Sequence, residues 1–245
     1  MQYDNLSREE LLAELGELRR QADESEAQEA RLRRWMELVE RVNALKENLL
    51  ARGSLNEKVK RITDGLVKIF GADFARIWIT RPGDRCDSDC VHAKATVGPH
   101  VCHQRNRCLH LMASSGRYTH IDGELHRRVP FDCYKIGRIA SGAEARFLTN
   151  DVANDPRIHD QNWARELGLV SFAGYRLLSE DSEPIGVMAL FAKQFISLAE
   201  QVLLEGLANT TSQVVHSAGI MRRCCHFDFL GSLEGREGRP ADPKG

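Results

Sequence analysis

The sequence predicts an α+β domain with a largely antiparallel sheet, preceded by a long N-terminal coiled-coil helix. Three observations lead there. Apolar residues recur at helical spacing over the first fifty positions. Short strand-like runs separated by turn residues follow, and an amphipathic helix closes the ordered part. The 245 residues allow one large domain or one ordinary domain with an extension. Lys and Arg number 34 against 35 Asp and Glu, a net charge of −1 that argues against general affinity for nucleic acid or anionic membrane. The longest apolar run, Ile185 to Ala192, is far short of the ~20 residues that cross a bilayer. Met1 to Asn5 lack a basic start leading into an apolar run, so a cytoplasmic protein is expected.

Residues 7 to about 52 read as one helix. Ser7 and Glu10 fit a capping box, and apolar residues fall at Leu11, Leu15, Leu18 and Ala22, then at Leu32, Trp35, Val39, Val42, Leu45 and Leu49. So narrow a stripe on so long a helix calls for a partner helix, most simply that of a second subunit in a homodimer. A helix folded back on its own domain is the alternative. Gly53 ends this helix and Ser54 caps the next, whose apolar face is Leu55, Val59, Ile62, Leu66 and Ile69. Ala72 to Thr80 reads as a strand, residues 81 to 107 as a polar insertion rich in Cys and His, and Cys108 to Ser114 as a second strand. Residues 116 to 142 are loop-rich. A short strand (147–152) and a short helix (156–167, with Pro156 in its first turn) follow. Val170 to Leu178 and Pro184 to Phe191 form a hairpin around residues 179–183. Residues 197–217 form the closing helix, carrying Leu198, Val202, Leu203, Leu207 and Val214. Three regions result: the coiled-coil helix (1–52), a domain (53–220) with its insertion (81–108), and a tail (221–245) expected to be disordered.

Several segments of residues 54–218 resemble the GAF domain family, in order and spacing. They are Tyr134 to Gly142 (YKIGRIASG), Leu148 to Val152 (LTNDV), Asp155-Pro-Arg157, Leu167 to Leu177 (LGLVSFAGYRL) and Pro184 to Leu190 (PIGVMAL). The resemblance covers about two-thirds of the chain. It implies a small-molecule pocket on one sheet face, roofed here by residues 116–146, and a sensory or regulatory protein rather than an enzyme. A signalling protein partner would then receive the output.

The insertion departs from the ordinary family pattern. Cys86, Cys90, Cys102 and Cys108 follow the spacing C-x3-C-x11-C-x5-C, with His92, His100, His103 and His110 nearby. So polar a segment cannot hold its shape by burial, and a metal on thiolates would supply the missing folding energy. Zinc is the leading expectation; the irregular gaps leave room for an iron–sulfur cluster, and a loop with free thiols is the alternative. His92 and His103 are reserve ligands.

The roof carries four cations, Arg127, Arg128, Lys135 and Arg138. Their side chains suit an anionic ligand, the alternative being a solvated basic loop paired with Asp122, Glu124 and Glu144. Expected pocket residues are Arg128, Phe131, Tyr134, Lys135, Arg138, Phe172 and Tyr175; Trp163 either joins them or is plain core. Cys133 sits alone among the cations. One GAF subgroup, the free-methionine sulfoxide reductases, uses cysteines in this general region, so a redox enzyme built on Cys133 is one rival reading. A zinc-stabilised scaffold without a ligand is the other. Cys224-Cys225-His226 is too short to form a metal site by itself.

Overall fold

The computed structural model describes residues 7–98, 100–144 and 146–231, with side chains as far as residue 218. Two compact units divide the chain, residues 1–44 and 45–245. The first is nearly all one helix, α1 (Arg8–Leu50), whose last turns belong to the second unit. It starts on the expected capping box: the Ser7 N–H donates to Glu10 Oε2 at 2.7 Å, and the Glu10 N–H donates to Ser7 Oγ at 3.3 Å. Leu11, Leu12, Leu15, Leu18, Leu32 and Met36 are exposed along it.

The second unit begins with α2 (Leu55–Phe70), capped reciprocally by Ser54 and Glu57. Val59, Ile62 and Leu66 are fully buried, as the 3.6-residue spacing requires for one inward face. After it come β1 (Ala72–Arg81), the one-turn helix α3 (Val91–Lys94), β2 (Cys108–Gly116), β3 (Arg128–Val129), α4 (Tyr134–Ser141) and β4 (Arg146–Thr149). Helix α5 (Gln161–Glu166), the hairpin β5 (Ser171–Leu178) and β6 (Pro184–Ala192), and helix α6 (Leu198–Gly231) complete the order. The sheet has six strands in the order β3-β2-β1-β6-β5-β4, every neighbouring pair antiparallel. Helices α2 and α6 pack on one face. Helix α4 packs on the other, against β5 and β6, and this second face carries the aromatic core.

Three local readings change. Helix α4 and the short strand β3 lie in a segment expected to be loop; Gly137 and the αL cap Gly142 (φ 90°) had masked the helix. Helix α5 starts on Asp160, whose carboxylate accepts from the Trp163 N–H at 2.9 Å, and not on Pro156. The buried stripe of α6 is Leu204, Leu207, Ala208, Thr211 and Val215, while Leu198 and Val202, half a turn round, are exposed. The expected tail lies outside the described residues, in its side chains and, from residue 232, in its backbone; so do the side chains of Cys224, Cys225 and His226. No described helix is long and apolar enough to cross a membrane.

Candidate functional site

Strand β1 is covered on both faces, so its side chains go alternately to α2 and to the aromatic core. Phe74, Arg76 and Trp78 share the second side. They line a cavity of about 330 Å³ with Phe172 of β5, Ala189 and Phe191 of β6, and Lys135 and Ile136 of α4. Tyr118, His120, Leu125 and His126 come from the roof, and His159, Asp160 and Trp163 from the start of α5. The walls are rings in mutual contact: Phe74 stacks on Phe191 at 5.0 Å, and Trp163 meets Phe191 edge-on at 5.5 Å. The polar ends of the two indoles are engaged, Trp78 Nε1 donating to the His126 carbonyl at 2.8 Å and Trp163 Nε1 to the Tyr118 hydroxyl at 3.4 Å.

Two cations face this aromatic space. Arg76, on a central strand, is only 7% exposed. Its Nε donates to Ser114 Oγ at 3.3 Å, and its guanidinium stands 5.5 Å from the Phe74 ring centre and 5.3 Å from that of Tyr118. The Lys135 ammonium stands 5.1 Å from the Phe191 centroid and 5.5 Å from that of Phe172. Among the described residues neither makes an ion pair with a carboxylate. Desolvation pulls the Lys135 pKa down to about 8, with Arg76 pushing the same way and Asp160 opposing. Burial, then Arg76, Lys135, His159 and His92, brings His126 to about 4, so its ring is neutral near pH 7. Partial burial and Lys135 also hold His159 down.

A short, crowded turn delivers Lys135. Asp132 and Tyr134 both have left-handed backbone, φ 64° and 53°, where non-glycine residues are strained. The Tyr134 ring lies on the His100 ring at 3.6 Å, and its N–H donates to His100 Nδ1 at 3.4 Å. Gly137 lets α4 close on this turn, since a Cβ there would sit 2.2 Å from the Pro130 carbonyl oxygen.

The other expected pocket residues lie elsewhere. Arg128 donates to Asp84 at 2.7 Å, and Arg138 to Glu144 at 3.1 Å. Phe131 is buried beneath the Arg107 guanidinium at 4.5 Å. Tyr175 is three residues from Phe172 along one strand, so it faces the opposite side, where its hydroxyl donates to the Gln201 carbonyl of α6 at 3.5 Å. Lys135 and Phe172 are the two of the seven that line the cavity, and Trp163 joins them. Sequence reasoning missed Arg76, though its signal was present: a cation at the same strand parity as Phe74 and Trp78.

The insertion carries ion pairs and hydrogen bonds of its own. Asp89 accepts from Arg85 at 2.6 Å and from Arg127 at 2.8 Å. Arg128 holds Asp84, whose pKa falls to about 2 through that hydrogen bond. His92 Nε2 meets the Leu125 carbonyl at 3.2 Å, and His110 Nε2 the Pro82 carbonyl at 2.9 Å. At the mouth, the Gly83 N–H donates to the Asn106 carbonyl at 3.4 Å. Cys90, Cys102 and Cys108 are buried and Cys86 is half-buried. Cys86 Sγ lies 3.7 Å from the Arg105 carbonyl and Cys102 Sγ 3.4 Å from that of Gln104, and burial pushes the Cys108 thiol up to about 12. Among the described residues no three Cys, His, Asp or Glu side chains are gathered as ligands of one metal ion. Cys133 is buried, its Sγ 3.7 Å from the Val101 carbonyl, and burial raises its pKa to about 11, the reverse of what activates a thiolate nucleophile. It does not line the cavity.

Residues 53–216, which hold this sheet, its helices and the cavity, match the family model of the GAF domain. The chain belongs to the GAF domain family. Domains of this family are typically sensory or regulatory. Solved GAF structures share the fold at low identity. The GAF domain of a phosphoenolpyruvate-protein phosphotransferase from Coxiella burnetii is 18% identical with a TM-score of 0.57, covering 77% of this chain and 98% of that one. Its counterpart from Acinetobacter is 15% identical with a TM-score of 0.54, covering 76% and 97%. A free methionine-R-sulfoxide reductase from Neisseria meningitidis, in complex with its substrate, is 15% identical with a TM-score of 0.52, covering 76% and 91%. At these identities the likeness is one of fold. None of the curated proteins matches.

Proposed function

We propose that this GAF protein is a sensory or regulatory module that binds a small organic anion in the aromatic cavity and acts as a homodimer through α1. One observation carries the ligand reading: Arg76 and Lys135 face the cavity under desolvation with no carboxylate paired to either among the described residues. A buried cation without a counter-ion costs free energy, and ring faces return only part of it. An anion in the cavity supplies the missing partner. The exposed leucines of α1 support the dimer, since a stripe at that spacing is buried by a second helix. The insertion serves as a buttress, joined to the roof at Asp89–Arg127, Asp84–Arg128 and His92–Leu125.

Thermal unfolding of the full chain with a panel of small organic anions tests the ligand reading. A saturable rise in Tm for at least one anion, reduced in Lys135→Met, is the expected result. A panel without any Lys135-dependent rise returns the two cations to a purely structural role.

A further inference from the structure

We propose that the cavity takes a single-ring aromatic monocarboxylate of the benzoate class, its carboxylate on Lys135 and Arg76 and its ring inside the aromatic box. This rests on the reading of the cavity as an anion site and narrows it to one chemical class.

Charge balance comes first. Arg76 and Lys135 bring two positive charges to the cavity and Asp160 one negative charge, while burial and the neighbouring cations disfavour the charged form of His126 and His159. A single negative charge balances what remains; a dianion such as phosphate or a dicarboxylate overshoots it. The hydrogen-bonding capacity comes next. Lys135 has three N–H donors to offer, and Arg76, with Nε on Ser114, keeps its two amino groups. Two donor groups converging from α4 and β1 suit the two oxygens of one carboxylate.

The walls select the rest of the molecule. About 330 Å³ is far more than nitrate or chloride fills, and a small anion alone would leave the rings facing water. Apart from the charged groups and imidazoles, the lining is aromatic and aliphatic, and both indole N–H groups are already satisfied within the protein. A ligand body rich in hydroxyls or amides would lose its water without replacement, which disfavours sugars and nucleosides. A flat apolar ring instead finds Phe74, Trp163, Phe172 and Phe191 arranged around one space, their centroids 4.7 to 6.0 Å apart in stacked, tilted and edge-on pairs. A fifth ring continues that packing at the same spacing. The cations now resting over these ring faces would exchange cation–π contact for an ion pair and leave a face to the ligand.

Calorimetry on the full chain with benzoate at pH 7 tests this, with benzamide, cyclohexanecarboxylate, nitrate and succinate as comparisons. Benzoate is expected to bind and raise Tm, with benzamide and cyclohexanecarboxylate each at least about tenfold weaker. Lys135→Met is expected to weaken benzoate at least about tenfold with an unchanged circular dichroism spectrum. A readout on the unaltered protein guards against a misfolded variant: benzoate affinity should fall as pH rises above 8, where Lys135 loses its proton. Arg76, His126, His159 and Asp160 are the other titratable groups facing that ammonium. Equal binding of benzamide, or affinity flat from pH 7 to 10, overturns the carboxylate contact. Equal or tighter binding of cyclohexanecarboxylate overturns the aromatic choice and leaves the anion site standing. Stabilisation by succinate or nitrate through Lys135, with none by benzoate, has the same consequence. No stabilisation by any anion overturns both this inference and the anion-sensing reading beneath it.

Discussion

The cavity and the Cys-rich insertion both concentrate charge, yet they treat it in opposite ways. In the insertion and its junction with the roof, Arg85 and Arg127 share Asp89, and Arg128 holds Asp84. Seven residues along the chain from Arg128 and eight from Asp84, Lys135 and Arg76 turn into an aromatic space with rings in place of carboxylates. Of the four roof cations, Arg127, Arg128 and Arg138 are paired with acids, and among the described residues Lys135 is not. Pairing marks charge used to hold the fold; desolvated, unpaired charge marks free energy held for something else. Composition cannot separate the two, because all four cations fall within twelve residues.

The largest effect should come from the wall of the cavity. Phe172 is fully buried between Phe147 and Phe191, at 5.0 and 4.7 Å, so Phe172→Ala should cost about 3–5 kcal/mol in urea unfolding and abolish ligand-induced stabilisation. A loss under about 1 kcal/mol would mean that this face is not close-packed.

Lys135→Met should move stability the other way. Removing a desolvated ammonium should raise the stability of the ligand-free protein by about 1–2 kcal/mol while anion binding falls. The pH dependence carries the same signature. The Lys135 pKa is about 8 in the folded state and higher, near the ordinary lysine value, in the unfolded chain. Between those values the unfolded chain binds more protons, so this group makes the protein more stable as pH rises, and below pH 8 its penalty is fully present. Subtracting the unfolding curves of Lys135→Met from those of the unaltered chain should reveal this slope; a slope of zero would mean that the Lys135 ammonium is not desolvated in the folded protein.

In the insertion, loss of charge should destabilise. Asp89→Asn removes the negative charge and one of the two acceptor oxygens shared by Arg85 and Arg127, and should speed amide exchange across residues 82–107 and at Arg127. The same measurement on Cys86→Ser, with elemental analysis of anaerobically purified protein, separates an ion-pair frame from a metal frame. The ion-pair frame has Asp89→Asn loosen the insertion more than Cys86→Ser does. A zinc or iron–sulfur centre on Cys86, Cys90, Cys102 and Cys108 reverses that order and removes about one metal equivalent per chain in Cys86→Ser.

The smallest effect on the domain should come from α1. Replacing Leu15 and Leu18 with Glu should shift the full chain from dimer toward monomer in light scattering and leave the thermal response to anions intact. An unchanged dimer would assign association to another surface.

Much of the fold was legible because its signals are local. The Ser7–Glu10 box, the helix from Ser54, the hairpin at residues 179–183 and both long strands around the insertion follow from spacing within a few residues. The site was legible in part. Lys135 and Phe172 were found through the basic roof and the family segments, yet the reasoning that chose Lys135 also chose Arg128 and Arg138, and Tyr175 was chosen against strand parity. Arg76 was passed over as one residue of an apolar strand, although a strand covered on both faces has no solvent side on which to leave a guanidinium.

By itself, then, the sequence determined which residues share a helix face or a strand face, because periods of 3.6 and 2 are properties of the local backbone. It also determined the family, which the match over residues 53–216 shows. What only the tertiary structure decided is which charge meets which. Asp84 reaches Arg128 across 44 positions and Asp89 reaches Arg127 across 38, whereas among the described residues no carboxylate forms an ion pair with Arg76 or Lys135, Asp160 acting on Lys135 only from across the cavity. Pairing across such separations depends on how the sheet and its roof are assembled, and no local pattern records it.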